Sequence, residues 1–313
     1  MKIIYLGTPE FAVPSLKKLY ESKHEIVGVV CQPDRPVGRG GKYKICAVKE
    51  FALLNNIPVF QYEKIRLEAY DQLKALDADV MVTCAYGQIL DKKLLELTPY
   101  GVINIHGSLL PKYRGAAPIQ WAVINGEKTT GITILKSDVG IDDGDMILKK
   151  DCEILEDETS GELANRLADI GANAIIEALE KLENGSAKFI KQDNNLATLT
   201  TMLKPEMSKI DFNKTAKDVK NFINGLNPAP VAYFIYNGKR FKVYNAKVYS
   251  ENINIKNMKN GEVIVSKPKV GLLIKCSEGV VSILKIQAEN GKVLNIKDFL
   301  NGNVFVEGDI INE

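Results

Sequence analysis

Only two histidines occur in the 313-residue chain, His24 and His106, so any imidazole chemistry falls on one of two positions. His106 closes the apolar run Gly101–His106 (GVINIH), which has the character of a short buried strand. Alternation along such a strand puts Asn104 and His106 on one face, at the strand's C-terminal end. Open parallel sheets hold their ligands at that end. A buried strand histidine is more often a satisfied core residue than a catalyst, but the amide two residues away and the glycine- and proline-containing loop that follows at once favour the catalytic reading for His106. His24 lies in the polar turn SKHE and reads as a solvated loop residue.

Two further clusters could take part. Asp138–Asp145 (DVGIDDGD) packs four carboxylates into eight residues. It could bind a hard cation, supply a partner that orients His106 and favours its charged form, or form a solvated turn. The twelve-residue calcium-loop series is absent, and composition leaves these alternatives level. Gln32–Lys49 holds five basic residues (Arg35, Arg39, Lys42, Lys44, Lys49), one acid and three glycines between a strand and a helix. Such connections usually take about two to six residues, so a long cationic one suits phosphate groups. Gly7-Thr8-Pro9-Glu10 has one glycine where a dinucleotide fingerprint needs three, and reads as a tight turn.

The elements that must position these residues alternate between strand and helix. Strands are expected at Lys2–Gly7, Glu25–Cys31, Asp79–Ala85, Gly101–His106, Thr130–Leu135 and Asp145–Leu155. Helices are expected at Phe11–Ser22, Val48–Asn55, Leu67–Leu76 and Thr159–Glu183. That order predicts an α/β fold with a parallel sheet covered on both faces. Lys191–Leu196 (KQDNNL) reads as a connector. After a helix over Lys214–Leu226, short β runs separated by Asn237-Gly238, Asn260-Gly261, Glu278-Gly279 and Asn290-Gly291 predict a small barrel or sandwich. The expected division is a catalytic domain over 1–190, a linker over 191–208 and a β domain over 209–313.

Charge follows the same division. Residues 1–208 carry 25 basic against 29 acidic side chains, and residues 209–313 carry 16 against 10. The basic third suggests a polyanionic partner. Five scattered cysteines without a C-x-x-C pair argue against a disulfide framework or structural zinc. No run approaches about 18 apolar residues, so no membrane span is expected. MKIIYLG at the start lacks the regions of a secretory signal, so a cytoplasmic protein is expected.

The run Asn104-Ile105-His106-Gly107-Ser108-Leu109-Leu110-Pro111 resembles the signature of the folate-dependent formyltransferases. Tyr113–Trp121, Gly140–Asp145, Gly7–Phe11, Gln32–Pro36 with Gly38-Arg39-Gly40, Gly225–Pro228 and Ala232–Phe234 resemble the branch of that family acting on initiator methionyl-tRNA. The resemblance implies a Rossmann-like formyltransferase domain that binds 10-formyltetrahydrofolate, followed by an OB-like β-barrel that binds tRNA. It implies Asn104, His106 and Asp142 as the catalytic trio, without a metal. Ser108, Leu109, Leu110 and Pro111 would line the folate site, and Arg39, Lys42 and Lys44 would meet the acceptor end of the tRNA. A monomer is implied. The chain departs from the family at Lys44-Ile45-Cys46-Ala47, where a proline is usual, at Gly107 and at Asp143. The alternatives are a formyltransferase acting on an amino sugar nucleotide and a non-catalytic RNA-binding module.

Overall fold

The computed structural model describes residues 1–37, 42–302 and 305–312. Its contacts divide the chain into two compact units. One comprises Met1–Gly115, Thr130–Cys152 and Ala164–Leu199; the other comprises Ala116–Thr129, Glu153–Leu163 and Thr200–Glu313. Residues 116–129 and 153–163, which the sequence reading puts in the catalytic domain, thus group with the second unit. Residues 191–199, read as linker, group with the first.

The first unit is built on strands β1 (Lys2–Gly7), β2 (Glu25–Cys31), β3 (Val59–Gln61), β4 (Val80–Cys84), β5 (Val102–His106), β6 (Thr129–Lys136) and β7 (Met146–Glu153). They form one sheet in the order β7-β6-β5-β4-β1-β2-β3. The central strands are near-continuous apolar runs because both faces of a parallel sheet are covered. Ile3, Ile4, Leu6, Val80, Met81 and Ile103 are all fully buried. The last residue of β1 has to be glycine, because a Cβ at Gly7 would lie 2.8 Å from the Tyr5 ring and 2.9 Å from Ala12 Cβ. The tight turn expected after it leads through Glu10–Ala12 into a helix over Val13–Tyr20, with Pro14 in its first turn.

The expectation of a parallel sheet holds from β3 to β5 and stops there. β6 runs antiparallel to β5, with His106 opposite Thr133 and Ile103 opposite Lys136. The β5–β6 connection has only one helix, Pro118–Ile124, and it belongs to the second unit. No helix of the first unit therefore carries the chain back to start a further parallel strand. The expected helix over Leu67–Leu76 is two short pieces, Ile65–Glu68 and Tyr70–Lys74. His24 is not solvated: it is 6% exposed, and its Nδ1 faces the Met1 amine at 3.3 Å. Burial, the largest influence, holds its pKa below the ordinary histidine value.

The second unit carries β8 (Ala232–Tyr236), β9 (Lys239–Val248), β10 (Val263–Lys267), β11 (Gly271–Lys275), β12 (Val280–Ala288) and β13 (Leu294–Asn295). They form an antiparallel sheet ordered β8-β9-β12-β11-β10, with β13 on β12. Asn237 and Gly238, with φ of 49° and 71°, make the primed two-residue turn that joins β8 to β9. The barrel-like character comes from the segment beyond the strands. Ile311 N donates to Gly261 O at 2.9 Å and Asn312 N to Ile235 O at 2.8 Å, linking the two sheet edges. Phe234, Phe241, Phe299 and Phe305 fill the core beneath, with Phe234 and Phe241 stacked at 5.5 Å.

The Ser160–Glu183 helix starts on a reciprocal cap. Thr159 N donates to Glu162 Oε2 at 2.9 Å, and Glu162 N donates to Thr159 Oγ1 at 3.3 Å. The Thr159 N–H is the main cause of a Glu162 pKa below its ordinary value of 4.5. A lowered carboxylate pKa stabilises the fold fully above the ordinary value and loses that contribution as pH falls through the lowered one. Glu162→Ala is therefore expected to cost about 1 kcal/mol at neutral pH in denaturant unfolding. The gap to the unsubstituted protein should close in acid; a gap independent of pH would disprove the cap's charge dependence.

Candidate functional site

The site forms where β5 ends. Asn104 and His106 fall on one face of the strand, as alternation requires, and both meet the same carboxylate. Asn104 Nδ2 donates to Asp142 Oδ1 at 3.1 Å, and His106 Nδ1 lies 3.4 Å from Asp142 Oδ2. Gly115 N donates to the same Oδ2 at 2.9 Å. The second imidazole nitrogen, Nε2, is 2.9 Å from the carbonyl oxygen of Tyr113 and donates to it. His106 is 6% exposed, so the ring is fixed between a carboxylate and a carbonyl with little water around it.

Asp142 reaches this position from the β6–β7 loop. Its φ of 48° lies in the left-handed region, which aspartate tolerates better than most side chains. Of the four acidic residues in the cluster, this one is aimed at the strand end. Asp143, Gly144 and Asp145, its neighbours, instead help wall a cavity of about 660 Å³ with Leu95, Ser137 and Val139. Among the described residues, no group of three or more His, Cys, Asp or Glu side chains is placed to hold a metal ion.

The loop after β5 is anchored from beneath. Ser108 is fully buried, and its hydroxyl donates to the Lys112 carbonyl at 2.7 Å. Leu110 is buried in a cluster with Leu135 and Met146, and its N–H donates to Thr133 Oγ1 at 3.1 Å. Thr133 Oγ1 in turn donates to Ser108 O at 2.7 Å. Ser108 and Leu110 therefore shape the loop from inside, while Leu109 and Pro111 remain half-buried at its surface.

Sequence reasoning missed the groups that hold this arrangement in place. Gln192 Nε2 donates to the carbonyls of Asp142 and Gly144 at 2.7 and 2.9 Å. Its Oε1 accepts from Arg114 Nε at 2.9 Å, and Arg114 also donates to Asn194 Oδ1 at 2.8 Å. Thr198 Oγ1 accepts from Tyr113 N at 2.8 Å, and Thr198 O accepts from Arg114 N at 2.8 Å. The polar run read as a connector is a clamp across two loops. The available signal was its density of amides, which suit hydrogen bonding to backbone on both sides.

The basic loop is placed in part. Arg39 lies outside the described residues. Lys42 and Lys44 are on one strand of a two-stranded ribbon that pairs Arg35–Val37 with Lys42–Lys44. Lys44 is exposed. Lys49 is not available to a partner: its Nζ donates to Asp34 Oδ2 at 2.5 Å and to Gln61 Oε1 at 2.8 Å. Arg35 pairs with Glu63.

Two family models cover most of the chain. The formyl transferase model matches residues 1–179, and the formyl transferase C-terminal domain model matches residues 202–304. The methionyl-tRNA formyltransferase of Acetivibrio thermocellus is 43% identical over 100% of both chains, and that of Alkaliphilus oremlandii is 44% identical over 100% of both. Among solved structures, the sugar 3N-formyl transferase WlaRD, determined in the presence of dTDP and 5-N-formyl-THF, superposes with a TM-score of 0.69. At 22% identity over 93% of this chain and 99% of that one, this likeness speaks for the fold. Matched in both halves and aligned end to end with such relatives, the chain belongs to the formyl transferase family, among the methionyl-tRNA formyltransferases.

Proposed function

We propose that the chain transfers a formyl group from 10-formyltetrahydrofolate to the α-amine of methionine carried by initiator tRNA, in the cytoplasm. The observation that carries the chemistry is the carboxylate of Asp142 held between Asn104 and His106 at the end of β5. The family and the names of the full-length relatives support the substrates.

The reaction needs no covalent enzyme intermediate. The neutral amine attacks the formyl carbon, and negative charge develops on the formyl oxygen. The Asn104 amide has two N–H groups; one is engaged by Asp142, and the other donates to that oxygen. His106, whose ring nitrogens meet Asp142 and the Tyr113 carbonyl, reaches that oxygen by exchanging the carbonyl contact for it, and one such donor contributes roughly 3–4 kcal/mol to lowering the barrier. Asp142 orients both groups and, through a water, moves the proton from the attacking amine toward N10. Leu109 and Pro111 contribute the accessible surface of the loop. The basic β unit and the Lys42–Lys44 ribbon meet the tRNA phosphates, and their contribution weakens with salt.

The deciding assay offers 10-formyltetrahydrofolate with initiator methionyl-tRNA, elongator methionyl-tRNA and an amino sugar nucleotide side by side. Transfer to the initiator is expected; transfer to the sugar nucleotide alone would retain the site and overturn the tRNA assignment. His106→Ala should lower kcat on the order of 10²- to 10³-fold with tRNA affinity unchanged. An unaltered kcat would move the chemistry elsewhere. Gln192→Leu removes the donor that holds the backbone around Asp142 and should cost about tenfold in kcat with little change in KM, because it displaces the carboxylate by a fraction of an ångström.

A further inference from the structure

Gln32 opens the Gln32-Pro33-Asp34-Arg35-Pro36 run, and nothing in the reaction above uses it. It stands at the carboxyl edge of the first sheet, where strand registers bring several stretches of chain level. Gly7 of β1 pairs with Cys84 of β4, Leu6 with Val30 of β2, and Thr83 of β4 with Asn104 of β5. The first residues beyond three of these strands, Thr8, Gln32 and Ala85, therefore lie in one row, level with His106.

The segment 85–90 leaves β4 on a path that does not hold itself. Ala85 has a φ of 48° and Gly87 one of 93°, both in the left-handed region. A Cβ disfavours that region at Ala85, so contacts from outside the segment must keep it there. The Tyr86 ring is buried in the apolar core with Tyr62 and Leu94. The Tyr86 carbonyl is gripped by two side chains: Thr8 Oγ1 donates to it at 3.0 Å and Gln32 Nε2 at 3.1 Å. Gln32 Oε1 accepts from Gln88 Nε2 at 3.3 Å, two residues further along the same segment. Gln88 is itself pinned by main-chain groups, its Nε2 donating to Tyr62 O at 2.8 Å and its Oε1 accepting from Ile65 N at 2.9 Å. Those groups fix which end of each amide is oxygen, since a carbonyl only accepts and an N–H only donates. The Gln32 backbone is held as well, its N donating to Thr8 Oγ1 at 3.3 Å and its O accepting from Gln61 Nε2 at 2.8 Å.

We propose that Gln32 is a positioning residue for the transfer reaction: with Gln88 it fixes the segment 85–90 beside His106 and so sets the affinity for the formyl donor. The side chain suits this task because one planar group donates to the Tyr86 carbonyl and accepts from Gln88. Leucine does neither. Glutamate has nearly the same shape but only accepts, and it sets an oxygen against the Tyr86 carbonyl. Once the grip is released, Ala85 relaxes out of the left-handed region, and Gly87 and Ile89, both exposed, move with it. Such a shift beside the reacting centre weakens the hold on the ligand resting there. Open α/β sheets take their small ligand at this edge, and the segment has no basic side chain to offer a phosphate, which assigns it to the folate rather than to the tRNA. That assignment rests on the folate-dependent reaction proposed above.

The test compares Gln32→Glu, Gln32→Leu and Gln88→Leu with the unsubstituted full-length protein. It measures steady-state transfer and, separately, equilibrium binding of 5-formyltetrahydrofolate with no acceptor present. Each variant is expected to raise KM for 10-formyltetrahydrofolate about five- to tenfold and to weaken 5-formyltetrahydrofolate binding to match, as the loss of one or two hydrogen bonds would. The kcat at saturating donor and the KM for initiator tRNA should stay within about twofold, the signature of lost ground-state binding. A glutamate variant equal to the unsubstituted protein would show that only the shape of residue 32 matters and would overturn the proposal. So would parallel losses in donor binding, tRNA binding and thermal stability, which mark a general loosening of the fold. Because the titration needs no acceptor, it decides the role of Gln32 whichever acceptor the transfer assay selects. Failure of the folate reading itself would show as no binding by the unsubstituted protein, and it would overturn both.

Discussion

The Asp142 carboxylate accepts hydrogen bonds from Asn104 Nδ2 and Gly115 N and faces His106 Nδ1, so two separate stretches of chain, β5 and the segment at Gly115, converge on its two oxygen atoms. None of those donors has an equivalent acceptor nearby among the contacts described. Without the carboxylate, three polar groups at a largely buried strand end would lose their partner together, and such groups cost about 1–3 kcal/mol each when left unsatisfied. The left-handed backbone at Asp142 and the Gln192 clamp on its carbonyl make sense as the means of holding that one group still.

The antiparallel turn of β6 serves the same centre. It sets Thr133 opposite His106, where its hydroxyl can grip both ends of the loop after β5. A parallel strand there would have needed a crossover. Running antiparallel, β6 ends at Lys136 opposite Ile103, and the loop that follows brings Asp142 back to Asn104 and His106.

Much of this was legible in the residues. Buried parallel strands announce themselves as apolar runs, and alternation alone put Asn104 with His106. The selection of Asp142 from four neighbouring carboxylates was not legible from composition. The four are chemically alike, and which one turns inward depends on a loop conformation; only the family resemblance singled it out. The Gln192–Thr198 stretch escaped notice because its hydrogen bonds join residues some 50 to 85 positions apart, beyond any local pattern. Lys49 shows the limit of counting charge: it is formally part of a cationic loop, yet it is neutralised by Asp34 within the fold. His24 shows the converse, a polar residue in a polar turn that the fold nevertheless buries.

The interleaving of the two units bears on how such a protein can change by recombination. The chain passes from one unit to the other at residues 115–116, 129–130, 152–153, 163–164 and 199–200. A single splice at the last of these would exchange the β-rich end while leaving Ala116–Thr129 and Glu153–Leu163 from the original parent. Those two stretches include the Pro118–Ile124 helix and the cap at Thr159, which would then face a partner they had not co-varied with. A working chimaera therefore has to carry these internal stretches along with the C-terminal segment, so the second unit of this architecture is inherited as a set of three pieces.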